Sequence, residues 1–340
     1  MAAVCLPSWG TPLNYSNRTI SASQWNWAAD GFNPANYSGS TVSAGSTKVQ
    51  IGFSGANVTN GTFSGMTWRN NTEFYTEWLT MTSASFATSR FQLGSRVFFN
   101  NGTQLRNVSF LNSVFDAGST IQFNDVLGYA ISFEGASING AFIVENGGSL
   151  NGAGTQADAL NFKNAAFGTT STMTVGSATS GAGDWRYTNF SGASLNGTIN
   201  IWVGDASYST FSGVTFGTSS QTYFNNGAYK GVVFDNTTLN GTLRFSGTDS
   251  SSSSWKSALF NGTFTVSGGA MENANFTGAR FNGTADFSAG SVNGTTFKDT
   301  VFGTNSMTYF RNGTYIGAVF DNALFNGQVS LNGFGATEYE

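Results

Sequence analysis

The sequence predicts an all-β protein: a β-solenoid of about twelve coils with 21–24 residues per coil, preceded by an irregular N-terminal arm. Three observations carry this. An aromatic residue followed five positions later by a second large apolar residue returns twelve times in 340 residues. Asn-Gly recurs just behind the second member of that pair. No segment has the 3.6-residue apolar period of a helix.

The leading residues are Phe63, Phe86, Phe110, Phe133, Phe162, Phe190, Phe211, Phe234, Trp255, Phe276, Phe297 and Phe320. Their partners are Trp68, Phe91, Phe115, Ile138, Phe167, Leu195, Phe216, Leu239, Phe260, Phe281, Phe302 and Phe325. Copies are 21 to 24 residues apart except for two stretched ones of 28 and 29. Eleven residues beyond each leading aromatic the spacing predicts a third inward column: Phe74, Val97, Ile121, Val144, Met173, Ile201, Phe245, Val266, Phe287 and Leu331. It is interrupted only by Thr222 and Thr308, each with Phe two places later. Those two turns belong to one duplication: Phe216–Gly247 matches Phe302–Gly333 at 18 of 32 positions.

Inward residues at 0, 5 and 11 fit neither a helical stripe nor one long strand, but they fit short strands broken by corners. The Asn-Gly pairs at 139–140, 196–197, 240–241, 261–262, 282–283 and 326–327 are expected to turn those corners through positive φ. All three prolines, Pro7, Pro12 and Pro34, lie at the start with Trp9, Trp25 and Trp27 and without the five-residue register. Residues 1–52 therefore read as a cap or assembly arm and 53–340 as the solenoid, with Phe53 and Val58 as a transitional pair.

The segment Ala274-Asn-Phe-Thr-Gly-Ala-Arg-Phe-Asn-Gly283 places a small residue two positions before a central Phe. The small position recurs as Ala165, Ala193, Ala258 and Ala323. In this the chain resembles the pentapeptide-repeat family, over about residues 53 to 333. The resemblance implies a right-handed parallel β-helix. Two consecutive pentads per turn match, and the rest of most turns is longer than the family's four-pentad coil.

Equivalent residues on stacked coils lie about 4.8 Å apart, so opposite charges pair there and like charges repel. The position after the leading aromatic puts Glu134 beside Lys163, Asp235 beside Lys256 and Lys298 beside Asp321. These are three expected ion pairs.

Charged residues make up only 9% of the chain and the net charge of −4 has no run of one sign, which argues against nucleic acid as a partner. The resembled family includes acidic mimics of DNA that bind topoisomerases, a role needing a negative stripe where this column alternates in sign. No apolar stretch reaches the roughly 18 residues of a membrane span. The start carries no secretory signal pattern, so either export follows another route or the signal lies outside this sequence.

The chain has no histidine, and the single Cys5 leaves neither an internal disulfide nor a thiolate metal site. Cofactors and metals are not expected. The acids that stacking brings near one another, Asp299 with Asp321 and Glu73 with Glu77 near Trp68 and Trp78, read as solvated charges, and the chain as a non-enzyme. Thr198, Thr242, Thr263 and Thr284 follow Asn-Gly and could form a flat array for ice. Seventeen Asn-x-Ser/Thr sequons occur, with Asn60, Asn101, Asn196, Asn261, Asn282 and Asn312 among the candidate glycosylation sites.

Function rests on the ends. A β-solenoid has open strand edges that template pairing unless they are covered. After Phe325 one strand-like piece, Gln328 to Leu331, precedes a tail without a capping helix. The expectation is head-to-tail homopolymerisation through Trp9, Trp25 and Trp27 against Leu331 and Phe334, giving an extracellular filament or sheath, or a fibre on a virion surface. The reading from another class is a glycan- or ice-binding adhesion module that uses one solenoid face.

Overall fold

The computed structural model describes residues 19–20, 24–27, 41–42, 49–54, 57–146, 148–150, 156, 159–176 and 182–332. Among them every named element is a β-strand and every pairing is parallel. The chain winds into coils that meet their neighbours along four ladders. One is a row of single bridges just before the leading aromatics, running from Thr62 and Ser85 through Asn161 and Asn189 to Thr296 and Val319. The second is a 14-stranded sheet of two-residue strands that carry the partner column, such as Val114–Phe115 and Leu259–Phe260. The third is a 15-stranded sheet of longer strands. The fourth holds Asn57–Thr59, Thr80–Thr82, Gln104–Arg106 and Leu127–Tyr129 in the first half. In the second half, eight-residue strands such as Thr242–Asp249 run along both the third and fourth sides.

From Thr67–Trp68 to Leu324–Phe325 the short-strand sheet has twelve strands enclosing about eleven full turns, as the repeat count predicts. The sheets also extend back into the expected arm. Thr19–Ile20 pairs with Thr41–Val42, and Gln24–Trp27 pairs with Val49–Ser54, which crosses the expected boundary after residue 52 and pairs in turn with Thr72–Glu77.

The core is a ring stack. The twelve leading aromatics lie face to face along the axis, from Phe63 on Phe86 at 4.7 Å between ring centroids to Phe297 on Phe320 at 4.9 Å. The closest step is Phe234 on Trp255, at 3.9 Å and an interplanar angle of 2°. Rings of the third sheet strike this stack edge-on, as Phe287 does at 5.6 Å from Phe276. Parallel coil spacing dictates the face-to-face contact and the orthogonal side supplies the favourable edge geometry.

Three residues after each leading aromatic a side chain points inward, and it is small everywhere except at Met66 and Val214. Where it is Ser or Thr, its hydroxyl donates to the carbonyl of the previous coil's leading aromatic: Ser89 to Phe63 at 2.7 Å, Ser113 to Phe86 at 2.7 Å, Thr237 to Phe211 at 3.0 Å, Thr300 to Phe276 at 2.9 Å. A buried hydroxyl costs little once bonded, so Ala and Ser interchange there.

Three expectations need correction. The third inward column is in fact two columns, two residues apart. Val144 pairs with Phe123 rather than Ile121, and Ile201 with Phe224, while Thr222 stands in the other column beside Leu243 and Ile199. The cause is corner length. Coils with Asn-Gly reach the third sheet after two residues, whereas the corners at 116–119, 168–171, 217–220 and 303–306 take four, so a fixed offset from the aromatic lands on alternate inward positions.

None of the six Asn-Gly pairs has positive φ. Their glycines are required by close approach: a β-carbon on Gly262 would lie 1.9 Å from the Gly241 carbonyl oxygen, and one on Gly140 2.3 Å from that of Ser119. The left-handed residues stand elsewhere, two positions after every leading aromatic, as in Asn112, Asn164, Asn236 and Gly278, and three before nearly all of them.

Of the three expected ion pairs, Lys163–Glu134 forms, at 3.9 Å. Asp235 instead accepts the backbone N–H of Lys256 at 2.8 Å and the Ser254 hydroxyl at 2.6 Å, and Lys298 and Asp321 form no ion pair among the described residues, their coils meeting there through the Asp299 N–H and the Asp321 carbonyl at 2.8 Å. A short carboxylate reaches the backbone one coil away more cheaply than a long ammonium can be held still at the surface.

Candidate functional site

Two places depart from the uniform coil. The first lies where the repeat stretches, between the coils of Phe133 and Phe211. A cleft of about 450 Å³ opens there, lined by Ala130, Ser132, Gln156, Ala159, Asn161, Tyr187, Asn189, Tyr208 and Thr210 among others. Its floor is built from two columns. The bridge row before the leading aromatics supplies Ser132, Asn161, Asn189 and Thr210, paired coil to coil. Two residues earlier along the chain runs the left-handed column, which reads Asn60, Ser83, Asn107 and Ala130 before the cleft and Gly231, Ser252 and Asn273 after it.

Within that column Tyr187 and Tyr208 interrupt the small residues, at φ of 61° and 62°. The left-handed region costs a β-carbon residue about 1 kcal/mol or more, so Asn and Gly are the economical choices there. The two rings stack on each other at 5.4 Å and 17°. Tyr208 is 56% exposed, and its ring edge covers Gly231 of the next coil. Ala130 and Ala159 hold the equivalent positions in two preceding coils and leave open the space that tyrosine rings occupy in the next two.

The polar lining is uncharged at the floor. Asn189 Oδ1 accepts the Ser191 N–H at 2.9 Å, and its Nδ2 has no partner among the described residues. Asn161 Oδ1 accepts from Lys163 N–H at 3.0 Å while its Nδ2 donates to Glu134 at 3.3 Å. Nearby, Lys230 Nζ pairs with Asp249 at 2.9 Å. Burial alone would raise the Asp249 carboxyl, but bonds from Lys230 and Ser251 outweigh it and hold it below the ordinary range.

The second place is the last described coil. Leu324, Phe325 and Leu331 are 55%, 45% and 48% exposed, whereas Phe302 in the coil beneath is fully buried. Phe325 stacks on Phe302 at 4.8 Å with an angle of 2°, and no further coil covers its other face among the described residues. The strands Leu324–Phe325 and Gln328–Ser330 end their sheets among the described residues.

The residues expected from sequence distribute as follows. The core ladder from Phe110 to Phe297 is buried, and Phe320 is partly buried against it. Trp25 and Trp27 pair with Ile51 and Phe53 in the first strand of the long-strand sheet. Trp9 and Phe334 lie outside the described residues, as does Cys5. Asn60, Asn101 and Asn312 stand exposed with positive φ. Asn196, Asn261 and Asn282 are different: Asn282 Nδ2 donates to Asn261 Oδ1 and Asn261 Nδ2 to Asn240 Oδ1, each at 2.9 Å, and Asn196 Nδ2 to Ser194 at 3.1 Å.

The expected acid pairs hold other bonds. Glu77 takes the Tyr75 hydroxyl and the Asn101 amide, and Glu73 is buried. The expected threonine array is broken in the same row: Thr198 pairs with Gln221, and Thr284 with Met307. Tyr187 and Tyr208 stand three positions before the leading aromatic, in an outward column that apolar periodicity does not mark. Their signal is two tyrosines in a column of Asn, Ser and Gly.

No family model and no curated protein matches the chain. Solved structures that resemble it include HetL, a pentapeptide repeat protein involved in heterocyst differentiation regulation from the cyanobacterium Nostoc sp., at 10% identity, covering 84% of this chain and 90% of that one, with a TM-score of 0.16. Another is QnrB1, a plasmid-mediated fluoroquinolone resistance protein, at 10% identity, covering 88% and 89%, with a TM-score of 0.22. At that level the description of this chain's fold rests on its own ladders: parallel coils with two pentads on consecutive sides, a pentapeptide-repeat-like solenoid.

Proposed function

We propose that the protein is a non-enzymatic structural subunit that associates head to tail with further copies of itself. The observation that carries this is the abrupt exposure of Phe325 one coil after its column is fully buried at Phe302. A second copy is the occupant that fits. Both sheets are parallel from the strands at Thr19–Ile20 and Gln24–Trp27 to those at Leu324–Phe325 and Gln328–Ser330, so a following copy can add its first coil without reversing direction. An edge of this kind templates strand pairing, and a contact between unlike ends does not close into a ring unless rotation brings it round.

The segment before residue 53, with Trp9, Trp25 and Trp27, serves in this reading as the contacting end, and Leu331 and Phe334 as its counterpart. An extracellular or virion-surface filament accords with a surface built from Asn, Ser and Thr with 9% charged residues. Glycans, if carried, belong on exposed Asn60, Asn101 and Asn312 rather than on the amide ladder of Asn261 and Asn282, where neighbouring glycans would collide.

Electron microscopy and light scattering over a concentration series test this. The expected result is linear oligomers that lengthen with concentration and are lost in Phe325→Asp/Leu331→Asp and on deletion of residues 1–52. Monodisperse monomers at high concentration would overturn it.

A further inference from the structure

We infer that the cleft beside Tyr187 is a binding site for a neutral, flat-faced oligosaccharide, a β-linked chain of pyranose rings. The observation is independent of end-to-end association. Along one column of the solenoid the backbone takes left-handed φ in every described coil but that of Ala159, and apart from Tyr187 and Tyr208 the residues there are small or Asn. Tyrosine replaces them at two successive positions, and those two border the cleft. Sidechains that defy the local preference and gather at one opening point to a role for the rings rather than for the backbone.

The shape specifies the guest. Tyr208 covers the side of Tyr187 toward the end of the chain, at 5.4 Å, and Ala159 and Ala130 leave a ring-sized space on the other side. A guest there continues the stack. The apolar C–H face of a β-pyranose suits an aromatic face, and its equatorial rim carries the hydroxyls.

Those hydroxyls would meet Ser132, Asn161, Asn189 and Thr210, which follow one another along the coil axis at the floor. Asn189 Nδ2 is an open donor among the described residues. The lining itself carries no cation to pair with a phosphate or a carboxylate, and the Asn161 amide is already bonded to the Glu134 carboxylate, so a neutral hydroxylated ligand is favoured, while a row along the axis favours an extended chain over a single sugar.

Isothermal titration of the full chain with cellohexaose and with chitohexaose tests the site, alongside Tyr187→Asn/Tyr208→Asn. Asparagine is native to this column at positions 60, 107 and 273, so the double variant keeps the backbone it needs, and a thermal melt verifies that. The expected result is saturable binding of at least one hexasaccharide, weakened tenfold or more in the double variant. Two results overturn the inference: neither hexasaccharide binds the wild-type chain, or the folded double variant binds as well as wild type.

Discussion

A β-carbon on Gly262 would stand 1.9 Å from the carbonyl oxygen of Gly241, its counterpart one coil below. The Asn-Gly corners therefore stack backbone on backbone, and glycine is needed for room. Gly262→Ala should cost about 3 kcal/mol through forced displacement of two coils. Gly278, at φ 69° with its nearest neighbour 3.7 Å from the added carbon, has room but an unusual conformation. There Gly278→Asn should stay within about 0.5 kcal/mol of wild type, because Asn tolerates left-handed φ. Urea denaturation of both variants separates the two kinds of glycine, and equal losses would contradict the distinction.

Thr222 is fully buried in an inward row between Ile199 and Leu243, and its hydroxyl has no bonding partner among the described residues. Thr222→Val keeps the shape and removes an unsatisfied polar group. A stabilisation of about 1 kcal/mol is expected. Thr308 occupies the same place in the duplicated segment, and Thr308→Val should behave alike. Thr237→Val is the control: its hydroxyl bonds the Phe211 carbonyl at 3.0 Å, so that change should destabilise.

Phe234 lies between Phe211 at 4.8 Å and Trp255 at 3.9 Å. Removing it leaves a ring-sized void in a column whose neighbours are held by their own coils and cannot close over it. Phe234→Ala should cost about 3–5 kcal/mol. A loss below 1 kcal/mol in chemical denaturation would show that the coils can settle.

Stability should fall at alkaline pH through phenols that the fold holds neutral. Burial, and then the bond to Glu77, push Tyr75 up to about 12; burial pushes Tyr315 up to about 12 and raises Tyr229 as well. A folded pKa above the unfolded value of 10.0 stabilises the neutral form in the fold. That contribution is complete below pH about 10 and is lost as pH rises through about 12. Melting temperatures from pH 8 to 12 should drop less steeply in Tyr75→Phe/Tyr315→Phe.

At the acid end the sign reverses. Asp249 is held low by Lys230 and Ser251 against the opposing effect of burial, so its contribution is present above the unfolded carboxyl range and is lost as pH falls. In Asp249→Asn the acid limb of the same melting series should be shallower. An unchanged limb would mean that the Lys230 pair is immaterial to the fold.

Much of the architecture was legible because a solenoid writes its geometry into the chain at a fixed period. Each coil buries its own leading aromatic at the same point, so Phe63 through Phe320 mark the axis without any knowledge of contacts. Local spacing likewise exposed the partner column and the small inward position, where Ala165 and Ser113 do one job. What remained hidden depends on how far one coil is offset from the next. The two inward columns of the third sheet, the ion pair that Asp235 declines, and the cleft over Ala159 all follow from register across corners of two or four residues.

The sequence by itself determined the coil: its length, its inward aromatics and its short strands, since these answer to periodicity and to the burial of large side chains. Only the tertiary structure decided why its Asn-Gly corners carry glycine, which threonines are buried unbonded, and where two tyrosines meet an open space. Those properties belong to pairs of coils, and the distance between Gly262 and the Gly241 carbonyl exists only once one coil rests on another.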